Sequence, residues 1–163
     1  MKQTVSTLVD QLAEILLNSQ RMLTTAESCT GGMIAAACTD LAGSSQWFER
    51  GFVTYSNDAK HELLGVPMEL LQTYGAVSEP VARAMASGAV AHARAQVAVA
   101  VTGVAGPTGG SRAKPVGTVW FGFAVNGSVS SECLHFPGDR AAVRAATVQH
   151  ALERLLSLLR LPG

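Results

Sequence analysis

The sequence predicts an α/β layered domain built on a mixed, partly parallel sheet. Two observations carry this. Helical and strand-like runs alternate early in the chain, the pattern of strands joined by helical crossovers. Late in the chain two strand-like runs meet at Asn126–Gly127, a strong hairpin signal, so antiparallel pairing enters the sheet there.

Taken in order, residues 4–18 place Leu8, Leu12, Ile15 and Leu16 at helical spacing, which predicts an amphipathic helix. A short strand is expected at Met22–Thr25. TAESCTGG then leads into a helix of small residues that ends near Gly43. Trp47–Tyr55 reads as a buried strand; its alternation is only partial, as expected near the centre of a sheet. Ser56 or Asn57 caps a helix running to about Leu64, and Pro67–Tyr74 adds a further helical turn or two. Ser78 is the expected N-cap of a clear helix, with Glu79 and Pro80 in its first turn. QVAVAVTG is apolar and β-branched, hence a buried strand. A long glycine-rich loop follows, then the hairpin strands, then the last helix from Asp139 to Arg160. No repeat or linker divides the chain, so one domain over residues 1–163 is expected.

Composition narrows the function. Of 163 residues, 48% are apolar and 15% charged, and formal net charge is zero, which describes a globular chain without a basic stripe. A nucleic-acid partner is therefore not expected. No apolar run reaches ~18 residues, so no membrane span is expected, and the N-terminus lacks the features of a signal peptide. The three cysteines are an odd number without C-x-x-C spacing. This disfavours a disulfide framework and structural zinc, and fits a cytoplasmic location. Cys133 and His135 share one face of a strand, but two ligands without a third read as packing rather than a metal site. No metal and no cofactor are expected.

Familiar catalytic motifs are missing. The chain has no phosphate-binding G-x-x-x-x-G-K-[ST], no G-x-G-x-x-G after the first strand and no G-x-S-x-G elbow. Ser111–Lys114 matches S-x-x-K but lies in a glycine loop, not at a helix start. Four other features remain open. In AESCTGG, Ser28, Cys29, Thr30 and Gly31 form either an anion cradle at a helix start or a plain cap. The segment VTGVAGPTGGSRAKPVG, which includes Thr102 and Gly106, follows a buried strand; it is either a ligand-contacting wall or a surface loop. Arg140 and Arg144 share a face at a helix start, where cations oppose the helix dipole; they bind either a phosphate or carboxylate ligand, or neighbouring acids.

The fourth feature is GSSQWFERGFVTYSNDAK. Ser44 and Ser45 stand at one end of its strand, and Tyr55, Ser56 and Lys60 at the other. Turn and cap chemistry accounts for this, and so does an active site. Serine with a lysine base is a workable amide-hydrolysing pair if burial lowers the lysine pKa. Spacing alone does not bring Ser45 and Lys60 together.

TAESCTGG, AGSSQWFERGFVTYSNDAKHELLGV, YGAVSEPVA, VTGVAGPTGGSRAKPVGTVWFG and FPGDRAAVR occur in the order they take in the CinA C-terminal domain family. Over about residues 5–160 the chain most resembles that family's stand-alone nicotinamide-nucleotide amidases (the PncC type). The resemblance implies a three-layer α/β/α sandwich that hydrolyses the carboxamide of nicotinamide mononucleotide, in pyridine-nucleotide salvage. It implies Ser45 as nucleophile, with Tyr55 and Lys60 beside it. It also implies Thr102 and Arg140 in substrate binding, where Ser28, Thr30, Gly31 and Gly106 are expected to join them. The expected partner is a small nucleotide, and a homo-oligomer, taken as a dimer, is expected. A nucleotide-binding regulatory protein without turnover is the alternative. A DNA-linked competence role is opposed by the neutral charge.

Overall fold

A computed structural model describes residues 2–162. Five strands form one sheet: β1 (Leu23–Glu27), β2 (Phe48–Val53), β3 (Val97–Gly103), β4 (Thr118–Val125) and β5 (Ser128–His135), in the order β2-β1-β3-β4-β5. β1 pairs in parallel with both β2 and β3, whereas β3–β4 and β4–β5 are antiparallel. The mixed sheet expected from the sequence is present. Asn126 and Gly127 both have positive φ (55° and 76°), the conformation a two-residue hairpin needs.

Among the described residues six α-helices cover the two faces. α1 (Val5–Asn18), α2 (Met33–Thr39) and α6 (Arg140–Leu159) close one side over a core that includes Leu12, Leu16, Phe121 and Leu152. α3 (Asn57–Leu64), α4 (Met68–Tyr74) and α5 (Glu79–Ala91) close the other over Leu64, Leu71, Val81 and Met85. β3 is apolar from Val97 to Val101 because it is covered on both faces, and those residues are fully buried. Among the described residues no helix is long and apolar enough to cross a membrane.

The main correction concerns β2. It is an edge strand, not a central one; β1 and β3 hold the middle. Glu49, Arg50 and Gly51 interrupt its apolar residues. An edge tolerates them because charged side chains reach water there. The Glu49 carboxylate pairs with Arg50 at 2.6 Å and accepts the Arg94 N–H. Two smaller corrections bear on the site. β1 continues past Thr25 to a fully buried Glu27, and α2 begins only at Met33, after Gly31 and Gly32 have turned the chain at positive φ. Caps expected from the sequence are seen at two helices: Ser56 Oγ accepts the Ala59 N–H, and an Asp139 carboxylate oxygen accepts the Ala142 N–H. Ser78 takes the N-cap position of α5 without a side-chain cap bond. Its hydroxyl donates instead to the Gly75 carbonyl.

Candidate active site

β1, β2 and β3 run in parallel, so their carboxyl ends lie along one edge of the sheet, where open α/β sheets hold ligands. A cleft of about 300 Å³ opens there. Ser28 follows β1, Tyr55 and Lys60 follow β2, Thr102 is the last residue but one of β3, Gly106 lies in the loop beyond it, and Arg140 starts α6. All six line the cleft.

At its floor, Lys60 Nζ donates to Ser28 Oγ at 2.9 Å, to the Thr54 carbonyl at 2.9 Å and to the Tyr55 carbonyl at 3.2 Å. Lys60 is 1% exposed and, among the described residues, has no carboxylate partner. Burial therefore disfavours its charge and pulls its pKa down from 10.5 to about 8. Two carbonyls and a hydroxyl suit either protonation state. The ammonium can donate to all three; the neutral amine can donate to the carbonyls and accept from the hydroxyl.

Ser45 is not part of this group, which corrects the expectation from the resemblance. It lies exposed in a 3-10 turn, Ser44–Gln46, ahead of β2, whereas Lys60 reaches the carbonyls just after β2. Six extended residues separate those positions, roughly 17–20 Å at ~3.3 Å per residue. The strand that joins Ser45 to Lys60 in sequence thus holds them at opposite ends of the sheet. Lys60 meets the hydroxyl of Ser28 instead, which the sequence analysis had placed only in a cradle or cap.

Thr30 and Gly31 also lie outside the cleft lining. The Thr30 hydroxyl donates to the Glu27 carboxylate at 2.6 Å, and the same carboxylate accepts the Ile34 N–H at 2.8 Å and the Ala35 N–H at 3.0 Å. The expected anion cradle is therefore filled by the protein's own acid. Glu27 went unnoticed in the sequence; its one signal is an acid directly after the short strand-like run that starts at Met22. Cys29 lines the cleft, but burial pushes its thiol up to about 11, so little thiolate is present at neutral pH.

The opposite wall is glycine-rich. Gly106 has φ +79°, and a Cβ there would lie 2.5 Å from a Val116 methyl, so no larger residue fits without movement. Thr102 Oγ1 donates to the Ala76 carbonyl at 3.0 Å and ties that wall to the loop before α5. The two arginines divide. Arg140 donates to the Gly106 carbonyl and to the Tyr55 hydroxyl, both at 2.9 Å, at the rim of the cleft. Arg144 donates to the carbonyls of Cys29 and Thr30, at 3.1 and 3.2 Å. The Tyr55 phenol therefore meets Arg140, and only its main-chain carbonyl reaches Lys60. Lys114 of the S-x-x-K match donates to the Tyr74 carbonyl, and its own N–H is held in a local turn by Ser111. Among the described residues no group of three or more His, Cys, Asp or Glu side chains could hold a metal.

The family model for the CinA C-terminal domain matches residues 5–159. The chain belongs to the CinA C-terminal domain family. Within it, the chain is 54% identical over 151 residues to the nicotinamide-nucleotide amidohydrolase PncC of Escherichia coli K12, covering 91% of this chain and 90% of that one. It is 60% identical over 135 residues to the protein of the same name from Enterobacter agglomerans, covering 82% of each. A solved structure of the competence/damage inducible protein CihA from Agrobacterium tumefaciens superposes with a TM-score of 0.92 at 47% identity. That match covers 97% of this chain and 98% of the other. The three-layer sandwich is thus the fold this CinA domain shares with its relatives.

Proposed function

We propose that this chain is an amidohydrolase that converts nicotinamide mononucleotide and water to nicotinate mononucleotide and ammonia, in pyridine-nucleotide salvage. Family membership and the names of relatives at 54–60% identity support the amidohydrolase class. The observation that carries the mechanism is the 2.9 Å contact between a buried lysine amine and the Ser28 hydroxyl at the floor of a cleft.

In this reading Ser28, not Ser45, is the nucleophile. With its pKa near 8, Lys60 is neutral in roughly one molecule in ten at pH 7, against fewer than one in a thousand for an exposed lysine. The neutral amine takes the Ser28 proton as Oγ bonds to the carboxamide carbon. Negative charge gathers on the carboxamide oxygen. Ala105 and Gly106 line the cleft and, among the described residues, their N–H groups have no acceptor in the fold, so they are assigned to that oxygen. The C–N bond then breaks, and the amide nitrogen leaves as ammonia with the proton that Lys60 returns. Lys60 then deprotonates a water that attacks the resulting ester, and the Ser28 Oγ–carbon bond breaks as Lys60 returns that proton to Oγ; the carboxylic acid product ionises on release.

Arg140 is assigned to the substrate phosphate. Two of its five N–H groups are engaged by Gly106 and Tyr55, and the rest are available at the rim. Tyr55 serves through its main-chain carbonyl on Lys60 and its phenol on Arg140. Ammonia release on adding nicotinamide mononucleotide to the purified protein tests the reading. Tight nucleotide binding without ammonia release would replace it with the regulatory alternative.

A further inference from the structure

Ser28 is held by more than the strand before it. Glu27 immediately precedes it and is 1% exposed, with no cation within salt-bridge distance among the described residues. A buried carboxylate is costly unless its oxygens are hydrogen-bonded. Here three donors meet it: the Thr30 hydroxyl and the Ile34 and Ala35 N–H groups. From the other side the Arg144 guanidinium, projecting from α6, spans the Cys29 and Thr30 carbonyls. A Cβ on Gly31 would come to 3.6 Å from that guanidinium, so the turn and the arginine lie in close contact. Thr30 is the shared point, its hydroxyl given to Glu27 and its carbonyl to Arg144.

A helix cap alone does not require this pair. One short side chain satisfies a helix start, as Ser56 and Asp139 do elsewhere in the chain. The Ser28–Thr30 turn instead carries three side-chain hydrogen bonds from two charged groups of opposite sign on different elements, and Glu27 takes two more from the Ile34 and Ala35 N–H groups at the start of α2. Neither Glu27 nor Arg144 lines the cleft. What they hold does line it: Ser28 and Cys29.

Resting on the assignment of Ser28 as nucleophile, we infer that Glu27 and Arg144 are positioning residues, a two-sided clamp that sets the Ser28 hydroxyl against the Lys60 amine. They act through the turn and touch no reacting atom. Loss of either shifts Ser28 relative to Lys60, and displacement on the ångström scale costs about 100-fold in rate. Glu27→Gln keeps the volume but turns an NH2 toward one of the backbone N–H donors. Arg144→Met removes both carbonyl contacts. Arg144→Lys keeps the charge but replaces a planar fork with a single ammonium, so it recovers only part of the loss.

The test is steady-state hydrolysis of nicotinamide mononucleotide by wild type and these three variants, each confirmed as folded by its thermal transition. Alongside it runs the rate at which a fluorophosphonate probe labels Ser28. In labelling, Ser28 Oγ bonds to phosphorus, fluoride leaves with the P–F electron pair and the hydroxyl proton passes to Lys60. The expected result is a fall of about 10–100-fold in kcat and in labelling rate, with KM for the mononucleotide nearly unchanged. Folded Glu27→Gln and Arg144→Lys proteins with wild-type kcat and labelling would overturn the clamp, as would a loss confined to KM. If wild type labels at Ser28 but releases no ammonia, the substrate assignment falls, and the labelling rates still decide the clamp. A wild-type protein that neither labels nor hydrolyses overturns both.

Discussion

The amine of Lys60 lies 2.9 Å from the hydroxyl of Ser28, although 31 residues lie between them and they flank different strands of the sheet. The parallel pairing of β1 with β2 brings both strand ends to one edge, so the residue after β1 and the first helix after β2 share a cleft. A hydroxyl and a buried amine are therefore paired at that edge. The opposite edge, where Ser45 lies, holds no such pair with Lys60.

Substitution separates the two serines. Ser28→Ala removes the proposed nucleophile and is expected to lower kcat by orders of magnitude, whereas Ser45→Ala, at an exposed turn, leaves ammonia release near the wild-type rate. Lys60→Ala is expected to match Ser28→Ala, and the double variant to be little worse than either, because the two groups act as one unit. Ammonia release by the four folded proteins checks this. A severe Ser45→Ala loss with an active Ser28→Ala would return the nucleophile to the turn before β2.

The Lys60 pKa gives two pH dependences. In the free enzyme the base form grows as pH rises toward about 8, so kcat/KM is expected to rise to a plateau above that value. Stability follows the same group. The folded chain releases this proton near pH 8 and the unfolded chain near 10.5. Between those values the unfolded chain binds more protons, so unfolding free energy gains an upward slope with pH from this group. Urea unfolding of wild type and Lys60→Met at pH 7.5 and 9.5 measures it. Wild type should gain on the variant as pH rises, and an unchanged or narrowing difference would contradict the buried-amine assignment.

Much of the layout was legible because it depends on local signals. The Asn126–Gly127 turn, the Asp139 cap and the uninterrupted apolar run of β3 each depend on chemistry within a few residues. What was not legible was which strand ends meet. β2 looked central because its apolar alternation is only partial, yet sheet position is decided by partners far away in sequence. Ser45 and Lys60 were put together only by the family resemblance, and the strand that links them in sequence is a spacer. Conversely, Ser28 and Lys60 belong together only through the β1–β2 pairing, and Arg144 reaches the Cys29 carbonyl across 115 residues. Glu27 was concealed for the same reason: its three donors lie in a turn and helix start that look self-sufficient in sequence.

Arg140 is expected to act through binding. Arg140→Ala should raise KM for the mononucleotide by an amount equivalent to about 2–4 kcal/mol, the range for losing a charge contact to phosphate, with a smaller change in kcat. The nucleoside without phosphate supplies the control, because it should bind wild type and variant equally poorly. Equal losses for nucleotide and nucleoside would instead place Arg140 on the rigidity of the Gly106 and Tyr55 wall, to which it is bonded.

Gly88, in the middle of α5, sets two physical effects against each other. Alanine is favoured over glycine in a helix interior by roughly 1 kcal/mol, so propensity alone predicts that Gly88→Ala stabilises the protein. Packing predicts the reverse. A Cβ at this position would lie 1.9 Å from the Leu64 carbonyl oxygen and 2.9 Å from its carbon, and these are backbone atoms at the end of α3 that cannot rotate away. α5 would have to move off α3, whose Leu64 fills the core on that face. Overpacking that displaces backbone costs about 1–3 kcal/mol and sometimes more, so the steric term exceeds the propensity gain. The net expectation is a loss of about 1–2 kcal/mol, lowering Tm by roughly 2–8 °C for a chain of this length. Differential scanning calorimetry of the single variant checks it, and a raised Tm would show that α5 is not seated on the Leu64 carbonyl. Because α3 also carries Lys60, displacement at this contact should lower kcat as well as Tm.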